Sequence, residues 1–399
     1  MSVASRLFPR PKVSGEGHRV TTFELLFDLV FVFAFTQVTE LMSHTHSAIG
    51  VLEGMVILGI LWWGWSSYAW LANQTHVDEG IVRLGMSAAM AAMFVLALAI
   101  PGTFERADDG LPAATVLVVA YFIVRAIHVG LYLLAAGDDR ALGRQVLVTA
   151  TGLVVSIGLL LAGALLGGTA QLWFWVAGLA ADIVLTYVTS NGGNWRLPSP
   201  AHWAERHGLV VMLALGESIV AIGVGAGHGP IVVPLIAAAL LAVLLTISLW
   251  WLYFDVTAIA AERELTAREG AGRVALATDA YTYIHLPLIA GILISALGVE
   301  QAVTHLMDHG RLDLFSACAL FGGTALYLAA HAAFWRRVGG TWKVFRLAGG
   351  TLLLALIPVS VLLPPLLDLG LVAVIVAAVA TIETLRYSDR RNALRSADD

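Results

Sequence analysis

The sequence predicts an all-α polytopic membrane protein of about twelve transmembrane helices, arranged as two parallel six-helix repeats. Three observations predict it. The 399 residues are 59% hydrophobic and 13% charged, whereas a soluble domain is about half apolar and a quarter charged. Apolar stretches of about 20 residues, the length that crosses a bilayer as a helix, recur along the whole chain. Lys and Arg gather in every second connection, the distribution that marks cytoplasmic loops.

Taken in order, spans are expected at 21–42, 48–70, 82–101, 112–135, 145–166, 170–190, 207–226, 230–254, 277–298, 313–335, 344–364 and 367–386. The first, TTFELLFDLVFVFAFTQVTELM, opens with Glu24 and Asp28. Their spacing of four places both on one helical face. Acids inside a spanning helix are costly and face a bundle interior or a water cavity, so this helix needs partners. Basic residues then test the count. The lead carries Arg6, Arg10 and Lys12, and alternate connections carry Arg140 with Arg144, Arg196 with Arg206, and Arg263, Arg268 and Arg273. Arg336, Arg337, Lys343 and Arg346 follow, and the tail has Arg390, Arg391 and Arg395. Arg106 and Arg311 are the exceptions. The alternation fits an even number of spans with both termini cytoplasmic.

This divides the chain into a cytoplasmic lead at 1–18, a first six-helix half at 19–195, a second at 196–388 and a cytoplasmic tail at 389–399. The halves echo each other. LWWGWSSY at Leu61 to Tyr68 is matched by LWWLYFD at Leu249 to Asp255, and Tyr121 with Arg125 by Tyr327 with His331. A six-span repeat returns to its starting side, hence the parallel relation. The charged stretch from Thr257 to Val274 reads as a solvated helix laced with opposite charges. No signal peptide is expected, since no basic lead runs into a short apolar stretch with a cleavage site. The one cysteine, Cys318, excludes an internal disulfide and a Cys-rich metal site. No GxxxxGK[ST] loop is present, so no ATP motor is recognisable.

Three stretches together resemble the bacterial low-temperature-requirement A family: FELLFDLVFVFA (Phe23 to Ala34), HWAERHGLVVMLALGESIVAIG (His202 to Gly223) and YTYIHLPLIAGI (Tyr281 to Ile292). Leu26 stands where an aromatic residue is expected. The resemblance implies a multi-pass protein of the bacterial cytoplasmic membrane linked to growth in the cold. It supplies no biochemical activity, so the chemistry has to come from the residues.

The candidate site residues are Glu24, Asp28, Arg125, His128, Asp182, Glu217, Tyr281, His285 and His331. Tyr121, Arg125, His128 and Tyr132 sit at i, i+4, i+7 and i+11, one polar stripe along span 4. Arg125 stays charged and needs an acid or several carbonyls; Asp28 and Asp182 are the nearest acids by depth. Glu217 lies near the midplane beside Gly216, where another backbone is expected to approach closely. Tyr281 and His285 share a face, and Pro287 is expected to free the carbonyl of Tyr283. Trp62, Trp63, Trp65, Trp70, Trp250 and Trp251 read as an interfacial aromatic belt, or as walls around an organic substrate.

His128, His207, His285 and His331 lack the local spacing of a dedicated metal site, so no metal and no cofactor are expected. The expected partners are the lipid bilayer and a small-molecule or ion substrate; nucleic acid is not among them. The function these features favour is a proton- or ion-coupled secondary transporter with a polar site between the halves. Its alternatives are a membrane enzyme modifying a lipid or amphiphile from the cytoplasmic side, and a sensor or scaffold. Enzymatic activity is the less favoured reading.

Overall fold

In the computed structural model, the described residues are 15, 17–105, 110–190, 193–227, 230–307 and 310–386. Most of the expected lead and the whole expected tail, with Arg6, Arg10, Lys12, Arg106, Arg390, Arg391 and Arg395, lie outside them. Among the described residues the secondary structure is helical, with no strand.

Among the described residues, eleven helical segments are long and apolar enough to cross a membrane. The first six are α1 (Thr22–Thr45), α2 (Ala48–Gln74), α3 (Gly80–Ala99), α4 (Ala113–Ala136), α5 (Arg140–Leu166) and α6 (Gly168–Ser190). α7 (Pro200–Ala226) follows, then α8 (Val233–Phe254), which runs on into the short charged helix α9 (Thr257–Ala267). α10 (Gly270–Leu276) and α11 (His285–Met307) are joined by a π-helical segment, Ala277–Tyr283. A second π-helical segment, Cys318–Gly322, joins α12 (Leu314–Ala317) to α13 (Gly323–Gly339). α15 (Pro365–Arg386) completes the eleven. The remaining expected span falls on α14 (Val344–Ser360), which has 17 residues and carries Pro358 in its last turn. At about 1.5 Å per residue, that helix sits at the lower limit for crossing.

The chain forms two compact units. The first comprises the chain through His44, Ile49–Arg206 and Glu269–Val274. The second comprises Thr45–Ala48, His207–Arg268 and the chain from Ala275 onward. α7 begins in the first and continues in the second.

In the first unit, α3 packs on α4, and α4 and α6 pack on α5. Asp139 caps α5 by accepting from the N–H groups of Ala141 and Leu142, both at 3.1 Å. The backbone bond from Leu142 holds its carboxyl below the usual range, helped by Arg196 at 2.8 Å. α7 starts seven residues before the expected boundary at 207. Ser199 Oγ accepts from the His202 N–H at 3.3 Å, and Pro200 takes the first helical position. Hydropathy missed this turn because its polar side chains are buried against α1 and not left in solvent.

In the second unit α11 lies against α13, and α8 against α15. The α11–α13 contact is backbone to backbone. A Cβ at Gly291 would strike the Tyr327 backbone, one at Gly298 the Leu320 backbone, and one at Gly323 the Ser295 backbone. Small residues allow this approach where helices gain nothing from hydrophobic exclusion between them. Gly216 does not serve that purpose, because nothing lies within 4 Å of the position its Cβ would take. The close approach on α7 comes two and a half turns later, where a Cβ at Gly225 would meet the Glu300 carbonyl. The charged stretch forms α9, with Arg268 and Glu264 paired at 2.8 Å across one turn.

Candidate functional site

The i, i+4 face of α1 that carries Glu24 and Asp28 meets an i, i+4 face of α7 that carries His202 and Arg206. All four residues are buried, none more than 1% exposed as a whole residue. Arg206 Nη2 donates to Asp28 Oδ1 at 2.9 Å, and Arg206 Nη1 stands 3.4 Å from Glu24 Oε1. Its guanidinium lies over the Trp65 ring, 5.5 Å from the centroid, a position in which the ring face attracts the cation. The Trp65 indole N–H donates to Asp28 Oδ1 at 3.0 Å. Glu24 Oε2 accepts from the Thr21 N–H at 2.8 Å and its hydroxyl at 3.0 Å.

The protonation of His202 follows from its neighbours. Asn73 pairs with the Ser199 backbone through both ends of its amide. Nδ2 donates to the carbonyl at 2.7 Å and Oδ1 accepts from the N–H at 3.3 Å. That pairing fixes which end of the amide is the donor. Asn73 Nδ2 also lies 3.2 Å from His202 Nδ1, so Nδ1 must accept. The proton of the neutral ring is therefore on Nε2, which donates to Glu24 Oε1 at 2.8 Å. An imidazolium would set two donors against each other at Asn73.

His18, ahead of α1, stacks on His202 with ring centroids 4.6 Å apart. Burial pushes its pKa below the ordinary value of 6.5. A ligand atom from each of His18, Glu24 and His202 fits within 4.8 Å. His202 Nε2 carries its proton toward Glu24, and Arg206 brings a positive charge to the same carboxylate.

A second network in this unit joins α4 to α6. Arg125 Nη1 donates to Asp182 Oδ2 at 3.2 Å and to Tyr121 Oη at 2.9 Å. Of the two acids expected to hold Arg125, Asp182 does so, and Asp28 is held by Arg206. His128 lies between the rings of Tyr68 and Tyr132, at 5.5 and 5.6 Å. Trp62, Trp63 and Trp65 are buried, and Trp62 stacks on Trp65 at 5.1 Å. Trp70 and Trp250 are half-buried, and Trp251 on α8 is 37% exposed.

The second unit holds Glu217, Tyr281, His285 and His331. His285 Nδ1 donates to the Ala280 carbonyl at 2.9 Å, since a carbonyl can only accept. Nε2 of the neutral ring is then the acceptor for the Tyr253 hydroxyl at 2.8 Å. The carbonyl that His285 engages is that of Ala280. The π-helical register ahead of α11 opens the ladder there, with the Ile284 N–H bonded to Asp279 O, and Pro287 falls in the first turn of α11. Tyr281 stacks on His285 with centroids 5.1 Å apart. His331 is fully buried, 5.7 Å from the Tyr253 ring and 5.4 Å from the Tyr327 ring. Glu217 is buried on α7.

Sequence reasoning gave His202 and Asn73 no role, placed Trp65 in an aromatic belt or substrate wall, and read Arg206 as a loop cation. The signal was present in HWAERH, where His202 and Arg206 share a face as Glu24 and Asp28 do.

No solved structure matches the chain. An uncharacterized protein of Rhizobium meliloti (strain 1021) is 28% identical over 316 residues, covering 77% of this chain and 74% of that protein. The model of the family described as bacterial low temperature requirement A protein (LtrA) matches residues 19–381. A match over nearly the whole chain places this multi-helix membrane protein in the bacterial LtrA family.

Proposed function

We propose that this protein is an ion-coupled secondary transporter. The observation that supports it is the interlocked α1–α7 face: two carboxylates, a guanidinium and an imidazole, all buried within segments of membrane-crossing length. Ionisable groups at such positions are costly, and in membrane proteins they mark substrate, ion or proton pathways. The Arg125–Asp182 pair adds a second buried charge pair in the same unit. An internal duplication belongs to the same reading, supported by the recurrence of LWW at Leu61 and Leu249.

Purified full-length protein in liposomes with an imposed pH gradient tests the proposal. The probe is the small-molecule fraction of a bacterial extract, read by mass spectrometry of the lumen. At least one solute should accumulate over protein-free liposomes and be lost on adding a protonophore or a sodium ionophore. Lumen contents identical to protein-free liposomes under proton and sodium gradients of either direction would refute the transporter.

A further inference from the structure

The α1–α7 cluster is not balanced in charge. Glu24 and Asp28 bring two carboxylates against the single guanidinium of Arg206. The hydrogen bonds of His202 require a neutral ring, so the imidazole does not supply the missing positive charge. Burial lowers the pKa of His18, stacked on it, below the ordinary 6.5. Other cations nearby are committed elsewhere: Arg125 of α4 is bound to Asp182 of α6, and Arg83 of α3 is exposed over the Phe23 ring. An unpaired charge buried in an apolar bundle is neutralised by taking up a proton or a cation.

The oxygens show where. Glu24 Oε1 faces His202 and Arg206, and Glu24 Oε2 accepts twice from Thr21. Asp28 Oδ1 accepts from Trp65 and from Arg206. Asp28 Oδ2 is buried and meets no donor among the described residues, although the residue as a whole is 1% exposed. It is the one oxygen of the four on which a proton displaces no existing hydrogen bond. We propose that this cluster is a proton-binding site that holds one exchangeable proton on Asp28 Oδ2. This deepens the transporter reading by naming the proton as the coupling ion, and the coupling role rests on that reading. Proton occupancy itself can be measured without any transported solute.

The step is a simple exchange. A proton arriving from water adds to Oδ2 and leaves Asp28 neutral, with Glu24 and Arg206 as the remaining pair. On release, the proton returns to water and the cluster carries one negative charge again. A sodium ion would satisfy the same balance, but it requires several oxygens around it. Only one uncommitted carboxylate oxygen is present in the cluster among the described residues.

Infrared pH titration of the full-length protein in lipid nanodiscs tests the proposal. Wild type should show a carboxylic-acid C=O band that bleaches as pH rises, and Asp28→Asn should lack it. Asparagine imitates the protonated side chain, so Asp28→Asn should melt within a few degrees of wild type. Trp65→Phe provides a second test that does not depend on that variant folding. It removes the indole donor to Oδ1 and should move both the band and its midpoint. A band retained in Asp28→Asn but lost in Glu24→Gln would overturn the assignment. So would a midpoint that shifts with sodium at constant ionic strength, which would make the site a cation site. A band that follows Asp28 in a protein that accumulates no solute supports the proton site and removes only the transporter. Solute accumulation with no band dependent on Asp28 would sink the proton site and leave the transporter.

Discussion

Arg206→Gln is the most informative perturbation of the first unit. The guanidinium is fully buried, with Nη1 3.4 Å from Glu24 Oε1 and Nη2 2.9 Å from Asp28 Oδ1. At an effective dielectric of about 20, unit charges at the Glu24 distance attract by about 5 kcal/mol. With Asp28 protonated, that is the pair the substitution breaks. Removing one member of a buried pair typically costs about 3–5 kcal/mol, because the stranded charge keeps its desolvation penalty. We therefore expect the melting temperature in detergent to fall by about 4–6 °C. Glu24→Gln in the same background should restore more than half of the loss, since it removes the stranded charge. The assay is thermal unfolding followed by size-exclusion fluorescence for the two single variants, the double variant and wild type. A loss below about 1 kcal/mol for Arg206→Gln would show that the charges are hydrated and not buried together. Strictly additive single and double variants would show that Arg206 and Glu24 are not coupled.

Two further expectations concern packing and pH. Gly298→Ala should destabilise by roughly 1–3 kcal/mol, because its Cβ would strike the Leu320 backbone and force α11 away from the π-helical segment that leads into α13. Gly216→Ala should be neutral or stabilising by up to ~1 kcal/mol, since the position is open and Ala favours helix; equal losses in the two melts would contradict the packing described. For His18 the fold favours the neutral ring. Above its ordinary value of 6.5, neither folded nor unfolded chain carries the proton, and no penalty arises. As pH falls below 6.5 the unfolded chain takes it first, so stability should decline, and His18→Gln should flatten that decline in melts run from pH 7.5 to 5.

The sequence alone determined the class of this protein. Composition and the recurrence of apolar stretches are one-dimensional properties set by the bilayer, and they located the membrane-length helices without any tertiary information. The i, i+4 faces of Glu24 with Asp28 and of Tyr121 with Arg125 were also legible, since helical spacing is local. Partner choice was not. Arg125 had two acids within reach by depth, and only the packing of α4 with α6 on α5 decided for Asp182.

Arg206 read as a loop cation because a hydropathy window weighs charge and cannot see burial against another helix. The turn from Pro200 to Arg206 became part of α7 once Glu24 and Asp28 were in place to receive it. The tautomer of His202 rests on Asn73 and Ser199, which are 129 and 3 residues away in the chain. No spacing rule connects such positions. Hydrogen bonds that assign a proton form between elements brought together only by folding, so the tertiary structure decided the chemistry of the cluster.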